Sequence, residues 1–315
     1  MNFLAVTGIT KVERSENVLE GIHFGQQQFQ KIAIAGETGS GKSTLLKIIG
    51  GLEQATSGTV HFLGEKVIGP WDKLIPGHPG IVYLSQQFEL PHYLRVEQVL
   101  EYANLLPEED AQLLYKICQI DHLMKRRTDM LSGGERQRIA LAKLLITSPK
   151  LLLLDEPFSN LDMIHKQTLK QVIADLGDKL KITCIQISHD PLDNLSWADE
   201  IIVMRDGLIV QQNTPHEIYY KPVDEYVAGL FGRYNLLTPA QAALFGIVTT
   251  EKIFVRPEQF EITTSGVPVT INKVSFLGNA SEVEVLSPEG IIVLNTRKQY
   301  LQKGNKINIA LNRES

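Results

Sequence analysis

The chain has 315 residues, 31 of them Lys or Arg and 36 Asp or Glu, for a formal net charge of −5, and 43% of it is hydrophobic. That hydrophobic share excludes a disordered chain, the acidic balance speaks against nucleic acid as a partner, and the length suggests two domains. Residues 1–35 read as short strands with turns, ending in Ile32-Ala33-Ile34-Ala35, a compact apolar run typical of a buried strand. Residues 36–43 break the run, residues 44–49 resume at helical spacing, and Gly50-Gly51 closes that helix. Residues 59–68 and 80–84 read as strands around a loop rich in Gly and Pro. Residues 95–130 read mostly as helices, anchored by Val99, Leu100, Leu113, Leu114, Ile117 and Leu123. A helix over 135–147, a buried strand over 151–154, a helix over 163–177 and a strand over 182–187 follow, with a last strand at 201–204 before an Asp206-Gly207 turn. Strands alternating with helices predict parallel pairing and a layered α/β domain.

The pattern changes after residue 236. From 252 onward apolar and polar residues alternate, as in Glu282-Val283-Glu284-Val285, with Pro257, Pro268 and Pro288 as punctuation. This predicts a small all-β domain. Cys118 and Cys184 sit in apolar runs and read as buried thiols of a reducing compartment. No stretch reaches the ~20 apolar residues of a membrane span. Met1-Asn2-Phe3-Leu4-Ala5 lacks the basic-then-apolar order of a secretory signal. A cytoplasmic protein is expected, with any membrane work done through a partner chain.

Three segments carry chemistry. Gly36-Glu37-Thr38-Gly39-Ser40-Gly41-Lys42-Ser43-Thr44 fits the phosphate-loop pattern and lies between a buried strand and a helix start. Its glycines let backbone N–H groups converge on phosphates, and the helix terminus adds a positive dipole end. Lys42 would reach the outer phosphates and the Ser43 hydroxyl would coordinate Mg²⁺. Glu37 must point away from bound phosphate. In the second segment, Asp155 and Glu156 end the apolar strand 151–154. Asp155 would hold Mg²⁺, through water, and Glu156 would polarise the attacking water or take its proton. The third segment is Leu131-Ser132-Gly133-Gly134-Glu135, ahead of an amphipathic helix. Ser132 with Glu135 makes a capping box, and Ser132, Gly133 and Gly134 also present a second anion-binding helix start. One nucleotide needs no two such termini from distant parts of a chain. The simplest solution is two copies, each closing the other's ATP site.

Together these segments resemble the ATPase subunits of ABC transporters, over residues 1 to about 235. Further family marks follow in order: Gln86 in Tyr83-Leu84-Ser85-Gln86 at the Q-loop, Ser159-Asn160-Leu161-Asp162 at the D-loop, and Ser188-His189-Asp190 around the switch histidine. The resemblance implies a P-loop cassette, a RecA-like core with a helical subdomain at about 87–147, working as an ATP-bound homodimer. It also implies that Gln86 contacts Mg²⁺ or the attacking water and relays nucleotide state to the membrane, and that His189 hydrogen-bonds the γ-phosphate. Asp162 would touch the other copy's phosphate loop, or simply cap the helix over 163–177. The other histidines, at 23, 61, 78, 92, 122, 165 and 216, show no metal-ligand spacing.

The tail is similar to that of importer ATPases: Gln212-Asn213-Thr214-Pro215-His216-Glu217-Ile218-Tyr219, then Pro222, Ala228-Gly229-Leu230-Phe231-Gly232 and Asn235. Val255-Arg256-Pro257-Glu258 and the β pattern resemble an OB-like TOBE domain over 236–315, which would strengthen the dimer or sense the solute. The partners implied are two transmembrane permease subunits and, indirectly, an extracytoplasmic solute-binding protein, at the cytoplasmic face of the inner membrane. Two departures stand out. Where most cassettes stack an aromatic on adenine, Ile9-Thr10-Lys11-Val12-Glu13-Arg14 has none. Losing that stacking costs ~1 kcal/mol, so weak adenine discrimination is expected. The stretch from Gln86 to Ser132 is also compact for the family. Soluble ABC ATPases of translation or DNA repair usually carry two cassettes or a long coiled-coil insertion, and neither is seen. A non-catalytic nucleotide sensor is disfavoured by the intact Lys42, Asp155, Glu156 and His189.

Overall fold

The N-terminal residues form a hairpin of two long strands, β1 (Leu4–Glu13) and β2 (Glu16–Gln26), rather than the short pieces expected. The breaks at Gly8 and Gly21 are register shifts that bend the strands without ending them. The computed structural model describes residues 3–85, 90–159, 163–180 and 182–312. It divides into two compact units, Met1–Pro215 and His216–Ser315, ahead of the change in sequence pattern at 235/236.

The first unit continues with β3 (Lys31–Ala35), β4 (Ser57–Phe62), β5 (Glu65–Lys66), β6 (Ile81–Leu84), β7 (Leu151–Asp155), β8 (Thr183–Ile187), β9 (Glu200–Arg205) and β10 (Leu208–Asn213). Its helices are α1 (Lys42–Ile49), α2 (Val96–Glu101), α3 (Glu108–Ile117), α4 (Gly133–Leu145), α5 (Met163–Leu180) and α6 (Pro191–Leu195). The main sheet runs β10-β9-β3-β8-β7-β6, and an antiparallel sheet runs β2-β1-β4-β5. The main sheet is parallel except for β10, which pairs antiparallel with β9 through the Asp206-Gly207 turn. Sequence reading stopped at β9. The polar end of β10, Gln211-Gln212-Asn213, hides a strand that only the hairpin reveals.

Burial on both faces explains why β7 reads as four consecutive leucines. Leu151 and Leu153 pack with Leu45, Leu46 and Ile49 of α1, while Leu152 and Leu154 pack with Ile139, Leu141, Val172 and Ile173 from α4 and α5. The parallel order brings the C-terminal ends of β3, β7 and β8 to one edge of the sheet. That edge is where α/β sheets bind ligands. Among the described residues between β6 and α4 lie the short helices α2 and α3 and two 3₁₀ turns.

The second unit holds α7 (Pro215–Tyr220), α8 (Glu225–Leu230), β11 (Asn235–Leu237), α9 (Pro239–Leu244), β12 (Ile253–Val255), β13 (Phe260–Thr263), β14 (Val267–Phe276), β15 (Ser281–Ser287), β16 (Gly290–Thr296) and β17 (Lys306–Leu311). The last five strands form an OB-like antiparallel sheet, β13-β17-β14-β15-β16, around Phe260, Ile271, Val283, Val285, Leu294 and Ile309. Arg256 ties the short helices to it. The residue is 2% exposed, and its guanidinium stacks 4.1 Å from the Tyr219 ring centre and donates to the carbonyls of Tyr219, Ala228, Gly232 and Arg233. Burial pushes its pKa down, yet the fork of donors lets one arginine close four carbonyls. Among the described residues, no helix is long and apolar enough to cross a membrane.

Candidate functional site

The phosphate loop leaves β3 through Gly36, with φ 150°, where a Cβ would lie 2.2 Å from the Met204 carbonyl oxygen. It enters α1 at Gly41, which caps the helix in the left-handed region with φ 92° and makes no side-chain cap bond. A Cβ there would lie 2.6 Å from the Val18 carbonyl oxygen of β2, so the hairpin passes directly beneath the loop. Both positions therefore demand glycine. Thr38 and Gly39 are exposed at the loop's tip, and Glu37 is exposed as well. The Lys42 ammonium is drawn inward, donating to the Gly36 carbonyl at 2.8 Å, the Glu37 carbonyl at 2.7 Å and Ser40 Oγ at 3.2 Å. Burial lowers its pKa, against the opposing pull of Glu156, Asp155 and Glu37. An ammonium held only by loop oxygens can exchange them for phosphate oxygens without moving far.

The Ser43 hydroxyl at the start of α1 donates to Asp155 Oδ1 at 3.0 Å. Tyr83, from the neighbouring strand β6, donates its hydroxyl to Asp155 Oδ2 at 2.6 Å. Sequence reading did not single out Tyr83. Its signal is weak: a phenol in an otherwise apolar buried strand acquires meaning only once β6 is known to lie beside β7. Glu156 follows with φ 50°, a left-handed backbone that a non-glycine residue adopts at a cost of 1–2 kcal/mol or so. The turn is held from both sides: Glu156 N–H donates to the Ile187 carbonyl at 3.1 Å, and Ser159 Oγ donates to the Glu156 carbonyl at 2.9 Å. The strain aims the side chain at His189, whose Nε2 lies 2.6 Å from Glu156 Oε1. The pair borders a cavity of about 220 Å³ with Ser159, Ser188 and Asp190.

His189 is set in place by a network that sequence reading also missed. Ser188 Oγ donates to the buried Asp193 at 2.9 Å, Asp190 caps α6, and Lys166 of α5 pairs with both Asp190 and, at 3.1 Å, Asp193. Lys170 adds a second ion pair to Asp193. Burial pulls the Lys166 pKa down, but the two carboxylates outweigh it and the net shift is upward. The loop carrying His189 is thereby clamped to the helix that follows the carboxylate turn.

Ser132 forms the expected capping box with Glu135. Its Oγ accepts from Glu135 N–H at 3.3 Å, and Glu135 Oε2 accepts from Ser132 N–H at 2.8 Å. That backbone bond, with Arg126 nearby, holds the Glu135 carboxyl below its usual range. Ser132 and Gly133 are exposed, while Gly134 is buried against His165 of α5. Ser132 Oγ thus serves as an acceptor within its own helix start, its hydroxyl proton is not used there, and among the described residues no bond of Ser132 reaches the phosphate loop. Gln86, Asn160, Leu161 and Asp162 lie outside the described residues. At the β1–β2 turn, Arg14 and Ser15 take positive φ, Val12 is exposed, and Lys11 is occupied by Glu53 at 3.0 Å.

A strand–loop–helix phosphate cradle, a carboxylate pair and a histidine on one sheet edge define a P-loop ATPase of the cassette type. The family model described as ABC transporter matches residues 19–159. The chain is 34% identical to the Fe(3+) ions import ATP-binding protein FbpC 1 of Rhodococcus jostii, over 97% of this chain and 96% of the relative. It is 32% identical to the sulfate/thiosulfate import ATP-binding protein CysA of Synechocystis, over 92% and 86%. The solved structure of cbiO1 from Clostridium perfringens, part of the ABC transporter complex cbiONQ, superposes with a TM-score of 0.60 at 26% identity, over 69% of this chain and 90% of that one. The chain belongs to the ATP-binding subunits of ABC importers, which hydrolyse ATP to energise solute uptake.

Proposed function

We propose that each ATP lies between the phosphate loop of one copy, Gly36 to Thr44, and the Ser132-Gly133-Gly134 turn of a second copy. The observation that carries this reading is the contrast in bonding. The phosphate loop, Asp155, Glu156 and His189 converge within one chain, whereas among the described residues the exposed Ser132 turn makes no bond to them. Backbone N–H groups and Lys42 hold the phosphates. Ser43 and Asp155 offer hard oxygens 3.0 Å apart, the donor chemistry that Mg²⁺ takes. With Gln86, these residues would hold Mg²⁺, Asp155 acting through a bound water. The ion would neutralise charge on the phosphates. Glu156 accepts a proton from the attacking water. His189 shares that proton's hydrogen bond and turns its ring toward the γ-phosphate as charge develops there.

Two membrane permease subunits receive the motion at the cytoplasmic face of the membrane, with a solute-binding protein on the other side. An apolar groove of about 550 Å³ lined by Leu52, Ile75, Pro76, Ile81, Tyr83 and Leu144 supports this reading, because it suits a short permease helix. The second unit acts as a TOBE-like domain, chiefly strengthening the cassette pair. A small charged solute as cargo is supported by relatives named for the import of Fe(3+) ions, sulfate/thiosulfate and sn-glycerol-3-phosphate. The test is the Glu156→Gln variant with ATP, followed by size-exclusion chromatography. An ATP-dependent dimer that persists supports the composite site; a monomer at saturating ATP rejects it.

A further inference from the structure

The two oxygens of Asp155 have different partners. Oδ1 accepts from Ser43, and Oδ2 accepts from the Tyr83 hydroxyl. Tyr83 stands opposite Leu153 in the parallel register of β6 and β7, which places its ring beneath the end of the strand where Asp155 sits. The neighbours Ile81 and Leu84 are apolar and buried, and a phenylalanine ring would fill the same space. The hydroxyl therefore adds nothing to strand packing. What it adds is a 2.6 Å bond to a carboxylate, within the range of strong charge-assisted hydrogen bonds.

We propose that Tyr83 is a positioning residue for the metal site: by holding Asp155 Oδ2 it fixes the carboxylate so that Oδ1 and Ser43 Oγ face Mg²⁺ as one preset pair. Without that bond the carboxylate is free to rotate about its χ2 torsion, and each metal-binding event must first order it. Outer partners of this kind govern metal affinity rather than nucleotide affinity. The inference rests on the Mg²⁺ reading of Ser43 and Asp155 given above.

The test uses the full chain loaded with a non-hydrolysable ATP analogue, with Mn²⁺ titrated and free Mn²⁺ counted by electron paramagnetic resonance. Tyr83→Phe should raise half-saturating Mn²⁺ about tenfold while analogue affinity in EDTA stays within about twofold of the unsubstituted chain. A Tyr83→Leu variant separates hydroxyl from ring. If Phe behaves like Tyr and only Leu weakens Mn²⁺ binding, packing is the cause and the proposal fails. It fails equally if Tyr83→Phe weakens analogue binding in EDTA as much as it weakens Mn²⁺ binding. If the unsubstituted chain binds no Mn²⁺ beyond that held by the free analogue, the metal reading of Ser43 and Asp155 is itself overturned, a result distinct from either of the others.

Discussion

Two helix starts in this molecule, α1 and α4, face the same physical problem and solve it in opposite ways. Each leaves unpaired N–H groups in its first turn. At α1 the cap is Gly41, which has no side chain to offer, so those donors remain available and Lys42 and Ser43 stand beside them. At α4 the cap is Ser132, and the reciprocal bonds with Glu135 satisfy two donors, the Ser132 and Glu135 N–H groups, while leaving those of Gly133 and Gly134 facing outward. The first helix start is built to be completed by a ligand. The second is stable by itself and can be carried to a ligand held elsewhere. In the composite site proposed above, each ATP would meet one helix start of each kind.

The largest effect should come from the α1 side. Glu156→Gln removes the proton acceptor while leaving the Ser43–Asp155 pair intact, and hydrolysis should fall by ~10²–10⁴-fold, measured as phosphate release. ATP affinity should hold, so the same variant accumulates paired cassettes. Rapid turnover in Glu156→Gln would remove Glu156 from the chemistry. On the α4 side, Ser132→Arg should cut hydrolysis by at least about a hundredfold, the loss that follows removal of a phosphate-facing donor. Binding of an ATP analogue to dilute monomer should not change. Should the substitution instead weaken monomer binding, the two helix starts would belong to one site within one chain.

How far sequence reaches differs between these regions for a physical reason. The phosphate loop, the leucine strand with its acids and the capping box are each contiguous, and their spacing alone dictates local geometry. Glu156 was marked by the acids that end the leucine strand and His189 by the family resemblance, but their 2.6 Å pairing joins turns after two different strands and was not read from the sequence. Tyr83 was not legible either, since its bond to Asp155 crosses between two strands far apart in the chain, and no local pattern reports that β6 lies beside β7. The clamp of Lys166 and Lys170 on Asp193 was invisible for the same reason. β10 was lost to its polar end, and the long β1–β2 hairpin to glycines that bend a strand instead of stopping it.

A smaller effect concerns the base. Where the family resemblance implies the base, the β1–β2 hairpin would offer Val12 and Arg14 in place of an aromatic, and Lys11 is committed to Glu53. Without stacking, the enzyme forfeits ~1 kcal/mol of preference, so kcat/KM for ATP and GTP should agree within about fivefold. Strict ATP selectivity would mean that another group reads the adenine edge.

The smallest effect isolates the self-sufficiency of α4. Glu135 is held below the usual carboxylate range first by the Ser132 N–H and then by Arg126 and Arg138. A carboxyl whose folded pKa is depressed contributes stability above its unfolded value of ~4.3 and loses that contribution as pH falls through the folded value. Glu135→Gln keeps an acceptor for Ser132 N–H but removes the charge. The variant should therefore be less stable than the unsubstituted chain at neutral pH in denaturant melts, and the gap should close as pH drops below the carboxylate range. A gap independent of pH would show that the charge does not support the helix start, and the contrast between a ligand-completed α1 and a self-capped α4 would then rest on Ser132 alone.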